Sequence, residues 1–412
     1  MTNVKEGNYY CGVDIGTHNV RCVIGRAPEK PGELPYILGV GSAKTFGMRR
    51  GVVIDAVSVA QSIDSALAEA EKVAGVSVDG ATFSINGQNV MSHGTKAAVS
   101  IESNGVVGVD DIEKVLDAAS IVQLPNSQRM LELVPIEYSV DGEEGTNDPV
   151  GMRGSRLEVS GVVISASDSH LRNLENAIST ANINCNGLQP EVRAGAEAVL
   201  TREQRERGVI YIDIGSQTTS LAVFEETQLR KISVVPMGSA NITNDLAIGL
   251  RIEVDLAEKI KVDFAEISSE PGSVGGTVEV EWEDEIHSFK TSDIEMIVGA
   301  RLEEIFEKLA KGLKKLGQHA RLPGGIILGG AGSSIKGIEN IAKDILELPC
   351  KKAAVSTYET STGDVLGVEW VCAVGLMLFD DREFNREGKR SSGMLDQIFE
   401  RTKSLLFSSK KK

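Results

Sequence analysis

Gly12-Val13-Asp14-Ile15-Gly16-Thr17-His18-Asn19-Val20 and, with Asp213 standing 199 residues after Asp14, Tyr211-Ile212-Asp213-Ile214-Gly215-Ser216-Gln217-Thr218-Thr219 are two versions of one element. Each is an apolar run into an Asp, a Gly turn with a hydroxyl residue, and a returning run that reads as the second strand of a hairpin. One copy is a common β-turn pattern. Two copies in equivalent places imply a duplicated fold with two facing phosphate loops. Gly16 and Gly215 let backbone N–H groups approach an anion, and Thr17 and Ser216 add hydroxyl donors. Asp14 and Asp213 are hard oxygen ligands suited to a magnesium ion held through its waters. The plainer alternative is a pair of tight hairpins whose Asp residues satisfy local N–H groups.

Outward from these loops, strand-like runs alternate with amphipathic stretches, the pattern of an α/β protein. The first meander is expected over Tyr10–Ile15, Val20–Arg26 and Tyr36–Ser42, followed by a helix over Val57–Val73. Residues 84–164 read differently, with strands, a helix across Asp110–Val122 and a Gly-rich stretch, Asp141–Gly154. A second meander begins at Gly208, and helices are expected over Asn241–Val262, Asp293–Leu316 and Ile338–Leu346. Ile326-Ile327-Leu328-Gly329-Gly330-Ala331-Gly332-Ser333 is a short strand running into glycines and then a helix, a turn that permits close approach of a flat or anionic ligand.

The chain has 412 residues and a net charge of −16, so a phosphate backbone repels it and nucleic acid is a poor partner. Its five cysteines form no CxxC pair and its five histidines are scattered, which argues against a disulfide framework or a metal cluster and fits a reducing compartment. The start MTNVKEGNYY lacks a basic-then-apolar signal pattern. The longest apolar run, Val371–Phe379, is about half of what a membrane span needs.

The tail reverses the charge. Residues 389–412 carry seven basic and two acidic residues, net +5. At helical spacing Met394, Leu395, Ile398, Phe399, Leu405 and Leu406 share one face, with Arg401 and Lys403 beside it and three lysines at the end. That pattern predicts an interfacial helix (394–412) on an anionic membrane surface, joined by a flexible linker at 381–393.

The two loops and the Gly329–Gly332 turn together resemble, in chain order, phosphate loop one, phosphate loop two and the adenosine loop of the actin/Hsp70/hexokinase superfamily. The resemblance implies ATP and Mg2+ as ligands. It adds His18, Gln217 and Thr218 to the phosphate site, Gly238 near the outer phosphates, Glu258 and Lys261 at adenosine and ribose, and Glu191 as the acidic residue of the connecting segment. Leu133–Asp141, Asn147–Glu158 and Asn241–Ala247 narrow the resemblance to bacterial cell-division proteins of the FtsA family. What that implies is an actin-like fold of two large duplicated ATPase-type halves, an inserted FtsA-type subdomain and a C-terminal amphipathic helix. The implied division is a first domain from 1–83, 165–207 and 358–380; the insertion at 84–164; a second domain from 208–245 and 317–357; and its smaller lobe at 246–316.

Family membership further implies filament formation, recruitment of other division proteins, and a peripheral place on the cytoplasmic side of the membrane at the division site. There the chain would tether FtsZ, whose C-terminal peptide the smaller lobe would receive near Arg251, Lys259, Lys261, Arg301 and Lys308. Relatives usually read D-I-G-G-G-T-T-D in the second loop. Here two glycines are replaced and Ser220 stands for the last carboxylate, so at most slow ATP turnover is expected. The other readings are an actin-like scaffold of a pilus or secretion assembly, and a superfamily kinase, for which the chain presents no sugar-kinase signature.

Overall fold

The computed structural model describes residues 9–388 apart from 28–33, 103, 126, 269–274, 315–321 and 356. The chain opens with strands β1 (Tyr9–Ile15), β2 (Asn19–Arg26) and β3 (Tyr36–Lys44), then a small hairpin of β4 (Met48–Arg49) and β5 (Val52–Val53). Helix α1 (Ala56–Ala74) and β6 (Gly80–Ile85) follow. Asp55 caps α1 by accepting from the Val57 and Ser58 N–H groups, and Gly75 ends it in the left-handed conformation.

An inserted unit comes next: β7 (Met91–Ser100), α2 (Val109–Ser120), β8 (Gln128–Val140), β9 (Glu143–Thr146) and β10 (Arg156–Ser167). The chain then returns through α3 (Asp168–Thr180), β11 (Asn184–Pro190), α4 (Glu191–Val199) and α5 (Arg202–Arg207). The second half has β12 (Val209–Ile214), β13 (Thr219–Glu225) and β14 (Gln228–Val235). After them come α6 (Ser239–Leu250), α7 (Val254–Phe264), the hairpin β15 (Thr277–Trp282) and β16 (Glu285–Lys290), and α8 (Thr291–Lys314). Finally come β17 (Ile326–Gly329), a four-residue 3-10 turn, α9 (Ile338–Leu346), β18 (Cys350–Lys352) and α10 (Val371–Gly388).

The duplication read from two tetrapeptides extends through both main sheets. The first has strand order β11-β6-β1-β2-β3 and the second β18-β17-β12-β13-β14. In each, an antiparallel meander is extended by two parallel strands. Parallel pairs require crossovers: α1 lies in the one between β1 and β6, α3 in that between β6 and β11, α6–α8 in that between β12 and β17, and α9 in that between β17 and β18. Two separate cores result, one around Val13, Ile24, Phe83 and Tyr211, the other around Ile212, Leu246, Phe306 and Leu328.

The inserted sheet has order β7-β10-β8-β9. Its long strands serve two cores: Leu157 and Val159 pack with Ile112 and Leu116 of α2, whereas Val162 and Ile164 enter the core of the first half. Residues 84 and 85, assigned from sequence to the insertion, lie in β6 of the first sheet, and β10 continues to Ser167.

α10 brings the C-terminal segment back onto β1. Gly12 allows that contact, because a Cβ there would lie 2.2 Å from the Ala373 carbonyl oxygen. At the buried end of this contact Asp380 accepts from Cys11 N, Thr82 Oγ1 and Asn186 Nδ2. The helix then continues to Gly388, through the first part of the expected linker. Extending a formed helix adds a hydrogen bond per residue without a nucleus, and Arg and Glu are good helix formers. The apolar and basic tail residues Met394, Leu395, Ile398, Phe399, Arg401, Lys403, Leu405 and Leu406 lie outside the described residues.

Two further expectations are revised. The single helix over Asn241–Val262 is two, because Arg251 takes the left-handed conformation and its N–H caps the end of α6. The helix expected directly after the glycines is preceded by the 3-10 turn Ala331–Ser334, so the N-terminus of α9 is not what faces a ligand at that turn.

Candidate functional site

The two Gly turns are alike in their atoms. Gly16 N donates to Asn19 O at 3.1 Å, and Gly215 N donates to Thr218 O at 2.9 Å. They face one another across a cleft of about 790 Å³ between the halves, within the range of small-molecule sites. It is lined by Asp14, Gly16, Thr17 and His18 from the first half and by Asp213, Gly215, Ser216, Gln217 and Thr218 from the second. Glu191, Glu258, Lys261, Ala331 and Gly332 line it too. The sequence-derived set therefore converges, with three exceptions.

Gly238, Gly329 and Gly330 stand behind the wall and shape it. A Cβ on Gly238 would meet the Gly215 and Ser216 carbonyl oxygens at 2.5 and 2.7 Å. Those carbonyls accept from Ser239 N and Ala240 N, so the first N–H groups of α6 secure the second loop instead of pointing at a ligand. A Cβ on Gly329 would strike Tyr211 Oη, and one on Gly330 would lie 2.4 Å from Asp213 Oδ1. Tyr211 Oη donates to Asp213 Oδ2 at 3.0 Å. These two glycines thus make room for the Tyr211–Asp213 pair, and close approach to the cleft falls to Ala331 and Gly332.

At the floor, Asp14, Asp213 and Glu191 are buried together. Burial pushes all three carboxyls up. Glu191 goes well up, because the charges of Asp213 and Asp14 add to its burial. Asp14 Oδ1 is buried with no hydrogen-bond partner. Clustered carboxylates of this kind want a cation. Among the described residues no three Asp, Glu, His or Cys side chains converge as direct metal ligands. An ion here would be reached through its waters.

Sequence reasoning missed Asn86. Its Nδ2 donates to Glu191 Oε2 and, at 2.9 Å, to Thr218 Oγ1, so one amide ties the connecting segment to the second loop. Its Oδ1 accepts from Ser220 Oγ at 3.2 Å. Ser220 is fully buried on β13 opposite Asp213 in the ladder, and it does not line the cleft. A carboxylate there would confront Asn86 Oδ1 and stand opposite Asp213. Ser220→Asp is therefore expected to lower the melting temperature of the protein, which a thermal melt checks. The duplicated topology is the signal that could have found Asn86: it follows β6 as Gly330 follows β17, at the corresponding cleft-facing end.

On the outer wall Lys261 Nζ donates to Glu258 Oε2 at 2.6 Å and to Thr243 Oγ1 at 2.9 Å. The pair, three residues apart on α7, is fixed on one helix face. Of the other basic residues expected to meet an acidic peptide, Arg301 is held bidentately by Asp245, Lys259 pairs with Asp263, and Lys308 with Glu304. Arg251 is exposed and forms no ion pair among the described residues.

A family model described as cell division protein FtsA matches residues 210–375, and a second, the SHS2 domain inserted in FtsA, matches 87–165. The cell division protein FtsA of Pseudomonas aeruginosa is 30% identical over 381 residues, covering 92% of this chain and 91% of that protein. The chain belongs to the FtsA family. FtsA of Bacillus subtilis is likewise 30% identical, over 94% of this chain and 87% of its own. Solved structures agree on the actin-like fold. A PilM–PilN type IV pilus biogenesis complex superposes with a TM-score of 0.65 at 17% identity, covering 90% of this chain and 98% of that one. MreB5 of Spiroplasma citri bound to ADP superposes at 0.55 with 12% identity, over 92% and 98%. This FtsA-family chain is thus an actin-like cell-division protein with the family's inserted subdomain.

Proposed function

We propose that the cleft binds ATP with magnesium and that the chain, as a filament-forming adaptor, tethers the FtsZ ring to the cytoplasmic face of the membrane at the division site. The observation that carries the nucleotide reading is the convergence of two like Gly turns on three buried carboxyls, one of which has an unpartnered oxygen. Magnesium would supply the countercharge for the phosphates and for the carboxylate floor. Asp14 and Asp213 hold it through its waters, the turns carry the phosphates, and Glu258 and Lys261 take the ribose side. Glu191 is placed to orient a water, but the protonated form that burial favours is a poor base, which agrees with slow turnover or none. Equilibrium titration with ATP, with and without magnesium, tests this. A folded protein that binds no nucleotide overturns the cleft assignment.

The smaller lobe, residues 246–316, is the proposed dock for FtsZ's acidic C-terminal peptide, and the insertion serves contacts between protomers and with later division proteins. Since Arg301 is held by Asp245, Arg251 is the residue to reverse. Arg251→Glu is expected to weaken peptide binding severalfold, at about 0.2–1 kcal/mol per exposed pair made or opposed. Unchanged affinity by fluorescence anisotropy would move the dock elsewhere. The pilus-scaffold alternative rests on fold likeness at 17% identity, whereas the relatives 30% identical over more than nine-tenths of this chain are cell division proteins.

A further inference from the structure

The β4–β5 hairpin turns on Arg50 and Gly51, both left-handed with φ of 49° and 75°, a two-residue turn of the primed kind. Its tip holds two side chains that line the cleft. Arg50 N donates to Gln217 Oε1 at 2.8 Å, and Gly51 N donates to Thr17 Oγ1 at 3.1 Å. The first bond reaches the second half and the next reaches the first, so two consecutive amides tie both Gly loops to one turn. No side chain fits at position 51, where a Cβ would lie 2.7 Å from Gly87 N.

These bonds fix which end of each side chain is left for a ligand. A backbone N–H can only donate, so the Gln217 atom facing Arg50 is the amide oxygen, and the NH2 end is turned away from it. Thr17 accepts from Gly51 and keeps its own O–H. Both residues line the cleft, and among the described residues neither remaining donor has a partner. We infer that the Arg50–Gly51 tip positions Gln217 and Thr17 to grip one phosphate group from both halves, with the Gln217 amide supplying the donor from the second loop. The inference rests on the nucleotide reading of the cleft. It makes Gln217, which stands where a glycine is usual in the resembling loops, a phosphate-binding side chain and not merely a tolerated replacement.

Two variants separate the donor from the clasp. Gln217→Glu keeps an oxygen for Arg50 N and loses the NH2; Gln217→Ala loses both. Affinity of the full chain for ADP and for ATP, with magnesium, is expected to fall roughly tenfold to a hundredfold in each, the range for a hydrogen bond to a charged group. Hydrogen exchange across residues 48–53 should keep the Arg50 amide slow in the wild type and in Gln217→Glu and make it fast in Gln217→Ala. Melting temperature without nucleotide should stay unchanged in Gln217→Glu, and a merely structural role would then leave its nucleotide affinity unchanged too. Nucleotide affinity of Gln217→Glu within twofold of wild type, or equal Arg50 exchange in all three proteins, overturns the inference. Wild-type protein that binds neither nucleotide overturns the reading beneath it, and the exchange data then still report on the clasp.

Discussion

Asp14→Ala is expected to lower magnesium-dependent ATP affinity by roughly a hundredfold, the upper range for losing a residue that holds a metal through an intermediary. The same substitution should leave the ligand-free protein at least as stable as the wild type. Asp14 lies buried beside Asp213 and Glu191, and burial raises all three carboxyls. A carboxyl whose folded-state pKa is raised favours the folded state while protonated, and that stability is lost as pH rises through the raised value. The empty cleft should therefore lose stability from the acid range towards neutrality, and Asp14→Ala should lose less of it. A cation competes with these protons, so magnesium-nucleotide affinity should climb over the same range. Melting curves with and without magnesium and ATP at several pH values measure both slopes. Unchanged affinity in a well-folded Asp14→Ala protein would remove Asp14 from the ion's shell.

How far the sequence carried depended on the range of the interaction. The meanders and the paired Asp-Ile-Gly turns were legible because hairpins are local: alternation of apolar residues and a Gly between an Asp and a hydroxyl specify them. Side chains that meet across long separations were not legible. Asn86 reaches Thr218 and Ser220 only after two halves have folded and docked, and nothing in Ile85-Asn86-Gly87 announces it. Arg301 was read as a free cation, whereas Asp245, a residue of α6, neutralises it from the facing helix. The glycines after β17 were read as making room for a ligand, but for Gly329 and Gly330 the approaching groups are Tyr211 and Asp213. A glycine in a sequence marks a place where space is needed without saying which atom needs it.

Removing residues 391–412 is expected to abolish binding to anionic vesicles while leaving the folded body intact. The fold gives the reason for the second half of that statement. Asp380 fastens α10 to Cys11, Thr82 and Asn186 ahead of the cut, and Val374 and Met377 of the same helix are buried against the first sheet. For the membrane itself the argument is the sequence pattern. Six large apolar side chains on one helical face are each worth about 1.5–3 kcal/mol at full burial, and part of that sum opposes the ordering of a short segment that is marginal alone in water. The three terminal lysines add roughly 3 kcal/mol near an anionic leaflet. Phe399 stands in the middle of the apolar face. Phe399→Ala should thus cost roughly tenfold to a hundredfold in vesicle affinity, and Phe399→Glu more, because it adds a charge to that face. Raising salt or diluting anionic lipid should weaken binding of the full chain, since screening acts on the lysines. Flotation of a 1–390 chain with vesicles as efficient as that of the full chain would show that attachment lies elsewhere, and the apolar face would then have to pack on the protein's own surface.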